Sequence, residues 1–250
     1  MNSLLAPDEP FPVRVLRAAG GSDFVLAADH AGRLIPRALA ALGLDEAERA
    51  RHIAWDIGIA GVTRRMADLL DAAAVLQTYS RLVIDCNRAP RHPTSIPPVS
   101  ETTAIPGNEN LSEPDRAARR QAIFDPYHAA IADLLDRRAA AGRRTVLVAM
   151  HSFTPVFKGV TRKVEVGVLY HRETRLSRRM LDLLRAEGDF VVGANEPYAI
   201  TDDSDYTVPV HGEGRGLDHV EIEIRQDLIA DAAGQAAWAA RMARLLKAAG

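Results

Sequence analysis

Thr145-Val-Leu-Val-Ala-Met150 is an unbroken run of apolar and β-prone residues that ends in His151-Ser152. Because the run does not alternate, a strand made of it must be covered on both faces, as in the middle of a parallel sheet. The segment before it reads as a helix that stops at Gly142. A helix feeding a doubly buried strand is an α/β pattern, and open sheets of that class carry their chemistry at the carboxyl ends of strands. His151 stands at such an end. Taken alone, it is either a ligand or base, or a histidine that merely caps the strand.

Other segments repeat the pattern. Phe24–Ala28 is a second buried run, and it delivers Asp29-His30 into the loop Ala31-Gly32. His30 is either a surface-loop histidine or a site residue, and its place directly after a buried strand favours the site role. Ala74–Tyr79 and Arg81–Asp85 read as a strand, or as two short ones, feeding Cys86-Asn87-Arg88. An Arg fork at such a mouth matches a carboxylate bidentately, although a solvated basic loop has the same composition. Asp56 precedes an amphipathic helix over Ile59–Leu70; its spacing suits an N-cap, and a metal-ligand role is the alternative. His219–Asp227 alternates strictly and places Glu221, Glu223 and Arg225 on one face. That pattern describes an edge strand with a solvated face, or else a strand aiming a carboxylate into a cleft.

The expected architecture is one α/β domain over residues 1–250. It has three layers, with a mixed, mainly parallel sheet between helices on both faces. Phe24–Ala28, Leu82–Ile84 and Val146–Ala149 are expected as central strands, and Pro12–Arg17 as a short, edge-like one. Pro93–Pro114 is irregular and long enough to be a lid or wall over the site. Thr201–Gly216 reads as a second, mobile loop. Ser112 is expected to cap a helix running to about Arg138, with Asp115 completing a capping box.

Composition narrows the partners. With 31 basic and 33 acidic side chains interspersed, the net charge of −2 points away from nucleic acid and acidic membrane surfaces. No apolar run approaches the roughly 20 residues of a membrane span, and the N-terminus lacks the basic and apolar regions of a signal peptide. The one cysteine, Cys86, excludes an internal disulfide and a cysteine metal cluster. A cytoplasmic protein is the expectation, with oligomeric state left open. The Arg- and Ala-rich, Lys-poor usage resembles that of high-GC bacteria.

Six ordered pieces are similar to the N-formylglutamate amidohydrolase family of the zinc carboxypeptidase-like superfamily. They are Asp29-His30-Ala-Gly, Trp55-Asp56-Ile-Gly58, Ser80-Arg81-Leu-Val-Ile-Asp-Cys-Asn87-Arg88, His151-Ser152-Phe-Thr154, Asn195-Glu196-Pro-Tyr198 and Glu223-Ile-Arg225-Gln-Asp-Leu228. The resemblance implies zinc held by His30 and His151, a substrate carboxylate held by Asn87 and Arg88, and Glu223 as general base. Ser152 and Asn195 are implied to contact substrate, and Arg81, or alternatively Arg91, to stabilise the oxyanion. The superfamily's Glu three residues after the first His is Arg33 here. Asp56 is therefore expected as third ligand, with Asp29 as the alternative, and Arg33 favours the competing reading of a non-catalytic carboxylate-binding relative. Two imidazoles and a carboxylate leave a zinc position open for water. The implied reaction is hydrolysis of an amide on an N-acyl acidic amino acid, most simply N-formylglutamate to formate and glutamate. Another acyl-amino acid or peptide is the alternative substrate.

Overall fold

A computed structural model of the chain describes residues 4–250. Its strands are β1 (Val13–Leu16), β2 (Phe24–Ala28), β3 (Ala73–Gln77), β4 (Val99–Ser100), β5 (Thr103–Ala104), β6 (Val146–Phe153), β7 (Val156–Phe157), β8 (Val160–Thr161), β9 (Val166–Leu169), β10 (Val192–Ala194) and β11 (Asp218–Arg225). Seven of them form one sheet in the order β1-β3-β2-β6-β11-β9-β10. Within it β1–β3 and β11–β9 pair antiparallel, and the other pairings are parallel. The expected mixed, mainly parallel α/β sheet is what forms. β4–β5 and β7–β8 are separate two-stranded hairpins.

The helices are α1 (Glu46–Ala50), α2 (Ile59–Leu70), α3 (Glu113–Arg119), α4 (Asp125–Ala140), α5 (Arg175–Glu187) and α6 (Ala232–Ala249). Strand periodicity sorts the core into two faces. Leu26, Val148, Met150, Ile222 and Ile224 pack with α2, α5 and α6. Val25, Ala27 and Leu147 point the other way, toward Phe124, Tyr127 and Ile131 on the α4 side. His151 and Glu223 each neighbour a residue of the first face in sequence, so both belong to the second. The chemistry therefore gathers on the α4 side, at the carboxyl ends of β2, β6 and β11.

Ser112 does cap α3, and its side chain and that of Asp115 make the expected reciprocal box. The chain stays helical through Arg138 to Ala140, with a π-helical turn at Arg120–Phe124 between α3 and α4. Pro126 follows that turn, and its missing N–H fits a break in the hydrogen-bond ladder.

Several expectations need correction. Leu82–Ile84 is buried but is not a strand. Two of its carbonyls are met by distant side chains instead of a ladder: Asn108 Nδ2 donates to Leu82 O at 2.9 Å, and Arg119 Nη1 donates to Val83 O at 3.1 Å, while the Leu82 and Val83 amides turn back to Ser80. β11 is not an edge, since β6 and β9 flank it in the sheet, and Glu221 and Glu223 on its charged face are buried. Thr201–Gly216 is no plain loop either; it winds into a π-helical turn at Val208–Gly212 that buries Val208 and His211. None of the described helices is long and apolar enough to cross a membrane.

Candidate active site

His30 leaves the end of β2, and His151 lies within β6, which runs on to Phe153 because β11 pairs with it through Arg225. Asp56 is brought between them by the segment ahead of α2, where its backbone N–H donates to His30 O at 3.0 Å. The α2 cap is Gly58 and not Asp56. Gly58 has φ +83°, and a Cβ there would lie 2.2 Å from Ile229 O, so the turn that releases Asp56 requires glycine.

The Asp56 carboxylate faces both rings. Its Oδ2 is 3.5 Å from His30 Nδ1 and 3.1 Å from His151 Nδ1, and it also accepts the Ser152 amide at 3.1 Å. One donor atom from each of the three residues lies within 4.8 Å of the others. All three side chains are buried. Each imidazole is held from behind by another carboxylate: Asp85 Oδ1 is 2.7 Å from His30 Nε2, and Asp29 Oδ2 is 3.2 Å from His151 Nε2. Those outer partners turn both Nδ1 atoms inward. His30 Nδ1 is buried without a hydrogen-bond partner, as expected of a nitrogen that needs a metal or a proton acceptor.

The electrostatics favour a cation. Burial works to lower the His151 pKa, but Glu221, Asp29 and Asp56 outweigh it and hold the ring well above its ordinary value. His30 is also raised, burial and Arg81 opposing while Asp85 and Asp56 prevail. Burial would raise Asp56, yet the two imidazoles bring its pKa down. A field that favours the charged form of two imidazoles also attracts a dication. The donor set and the field both fit a bound metal ion.

A cavity of about 270 Å³ opens beside this triad, lined among others by His52, Arg81, Arg88, Tyr198, Glu221 and Glu223. Glu223 lies across from His151 in the β11–β6 register and from Gly167 in β9. A side chain at Gly167 would collide with Glu196 O at 2.2 Å and approach Glu223 Cβ, so glycine leaves room for the carboxylate. Burial pushes the Glu223 carboxyl up to about 8. Arg81 is fixed by Asp85, with Nε and Nη2 at 3.0 and 2.6 Å from Oδ2, and its Nη1 is 3.6 Å from Asp56 Oδ1.

Not every expected residue reaches the pocket in the expected way. Asn195 is directed elsewhere: its Oδ1 accepts the Tyr170 amide at 2.9 Å, joining the ends of β9 and β10. Ser152 lines the cavity, but its hydroxyl donates to Ile57 O at 2.9 Å. Arg91 lines a separate surface groove. Asp29 stands behind His151 and not among the three converging donors. Pro93–Pro114 walls an adjoining cleft of about 320 Å³ through Pro97, Val99, Ser100 and Glu101, and contributes nothing to the lining of the triad's cavity. Arg33 pairs with Glu46 and stacks over Trp55, away from the donors.

Sequence reasoning missed Asp85, Glu221 as a buried group, His52 and Asp205. Asp85 had a visible signal, since it ends an apolar run as Asp29 does. Asp205 had none, because its contact with Asn87 spans 118 residues.

The chain is similar to two solved structures over nearly all its length. The Agrobacterium tumefaciens gene product Atu2144 is 40% identical, with a TM-score of 0.94 over 98% of this chain and 97% of that one. An N-formylglutamate amidohydrolase from Ralstonia eutropha JMP134 is 18% identical and shares the fold, with a TM-score of 0.71 over 96% of this chain and 97% of that one. No curated protein sequence matches the chain. The sequence pattern of the N-formylglutamate amidohydrolase family matches residues 22–230, which contain every donor and pocket residue described above, and the chain therefore belongs to that family of hydrolases.

Proposed function

We propose that this hydrolase binds one zinc ion through His30, Asp56 and His151 and cleaves the amide bond of an N-acylated acidic amino acid, most simply N-formylglutamate. The observation that supports this best is the convergence of three metal-type donors, the buried Glu223 carboxylate and two guanidinium groups in one cavity. Two imidazoles and one carboxylate suit zinc with an open position, and the bound ion would lower the pKa of a water toward about 7 and polarise a carbonyl.

The chain's own groups supply the rest. Glu223, whose ionised form a bound cation would favour against the effect of burial, accepts a proton from the attacking water and returns it to the nitrogen as the C–N bond breaks, so the amine departs neutral. Arg81, held rigid by Asp85, faces the negative charge that grows on the carbonyl oxygen. Arg88 grips the substrate carboxylate, with Asn87 beside it. Ser152 acts indirectly, through its amide on Asp56. One water is consumed, and one formate and one glutamate are released.

The test is elemental analysis of the purified protein together with product assay. About one zinc per chain, and equal amounts of formate and glutamate from N-formylglutamate, is the expected result. A zinc-loaded protein that leaves N-formylglutamate intact but cleaves another N-acyl amino acid would shift the substrate and keep the chemistry. Failure to cleave any member of such a panel would overturn the reading.

A further inference from the structure

Asn87 and Arg88 do not face an empty subsite. Asn87 Nδ2 donates to Asp205 Oδ1 at 3.0 Å, and Arg88 Nη1 is 3.8 Å from the same oxygen. Asp205 and its neighbour Ser204 line the cavity that holds the triad. The second oxygen of Asp205 serves only its own turn, accepting from Ser204 Oγ at 2.6 Å and from the Thr201 amide at 3.2 Å. A carboxylate thus already stands on the groups that would receive the substrate's carboxylate. Two carboxylates cannot share those donors a few ångströms apart without strong repulsion.

We propose that Asp205 is a specificity-determining residue of this subsite: an internal carboxylate that the ligand's carboxylate must displace from Asn87 and Arg88. The proposal rests on the reading of Arg88 as the anchor. The geometry allows the exchange. Asp205 is tied to residues 201–204 and can leave with them, whereas Tyr206 and Thr207 stay fixed, their amides donating to Asn87 Oδ1 at 2.9 and 3.0 Å. Thr207 Oγ1 is further held by Asp29 at 2.7 Å. An incoming carboxylate must meet or displace the charge of Asp205, and a neutral ligand end need not, so Asp205 sets how tightly the subsite holds an anion.

Glutarate, a carboxylate probe that needs no turnover, tests this by calorimetry on zinc-loaded wild type, Asp205→Asn and Arg88→Ala. Asp205→Asn keeps an acceptor for Asn87 and removes the charge. It should tighten glutarate about tenfold and change the neutral diamide, glutaramide, by less than twofold. Hydrogen exchange on the wild type gives a readout independent of any variant: glutarate should speed amide exchange in residues 201–205. Weaker or unchanged glutarate binding in Asp205→Asn, or slower exchange with ligand, would overturn the role of Asp205 while leaving the anchor standing if Arg88→Ala still weakens binding. Glutarate binding that is indifferent to Arg88, or absent, would overturn both.

Discussion

Glu223 on β11 and His151 on β6 are register partners on adjacent strands, and β11 is internal to the sheet, with β9 on its other side. A pattern that reads as a solvated edge is in fact a buried carboxylate beside a buried imidazole, both opening on one cavity. Proximity of that kind suits a proton carrier next to the reacting centre.

Glu223→Gln preserves shape and removes the proton acceptor. Zinc content and melting temperature should survive, and kcat should fall by about 10²–10⁴-fold. Glu221 is no surface control for this experiment, because it is buried with Oε2 4.0 Å from His151 Nε2. Glu221→Gln should act through His151, lowering zinc affinity with little change of kcat at saturating zinc. Zinc titration followed by turnover at each loading separates the two, and an unchanged kcat in Glu223→Gln would remove it from the mechanism.

His151→Ala takes away one of three donors and should abolish both zinc retention and hydrolysis. Asp29→Asn leaves the donors intact but weakens the support behind His151 Nε2, so zinc affinity should fall by about 10–100-fold. Competition with a chelator measures both. Full zinc occupancy in His151→Ala would refute the ligand set.

Acid sensitivity should trace in part to His211, which is not one of the three donors. Its Nε2 is 3.0 Å from His128 Nδ1, and His128 Nε2 is 2.8 Å from Cys86 O. Burial first, then His128 and Arg215, push the His211 pKa down to about 3. A depressed histidine pKa means stability that is complete above the unfolded value near 6.5 and is lost as pH falls toward 3. His211→Gln retains a donor toward His128 and cannot be protonated. Between pH 6 and 4 it should recover about 1 kcal/mol of unfolding free energy per pH unit relative to wild type. Parallel stability curves for the two proteins across that range would exclude His211 as the acid-sensitive group.

Much of the frame is local and was legible in the residues. β2 and β6 announce themselves as apolar runs, α2 and α5 as amphipathic periods, and Ser112 as a cap, because each depends on neighbours within a few positions. His30 and His151 were likewise visible as polar residues delivered by buried strands. Tertiary structure alone decided the rest. Leu82–Ile84 is as apolar as a strand, but Asn108 and Arg119 satisfy two of its carbonyls and release it from the sheet. Alternation in β11 states only that two faces differ; β6 and β9 make the strand internal, and packing of the Val208–Gly212 turn against it helps bury the charged face. Asn195 carries the right chemistry for a ligand contact but is spent on the Tyr170 amide. Asp85 behind His30 and Asp205 on Asn87 are meetings across 55 and 118 residues. A chain's local preferences fix which segments can be strands or helices, but which charges meet is set by packing between segments distant in sequence.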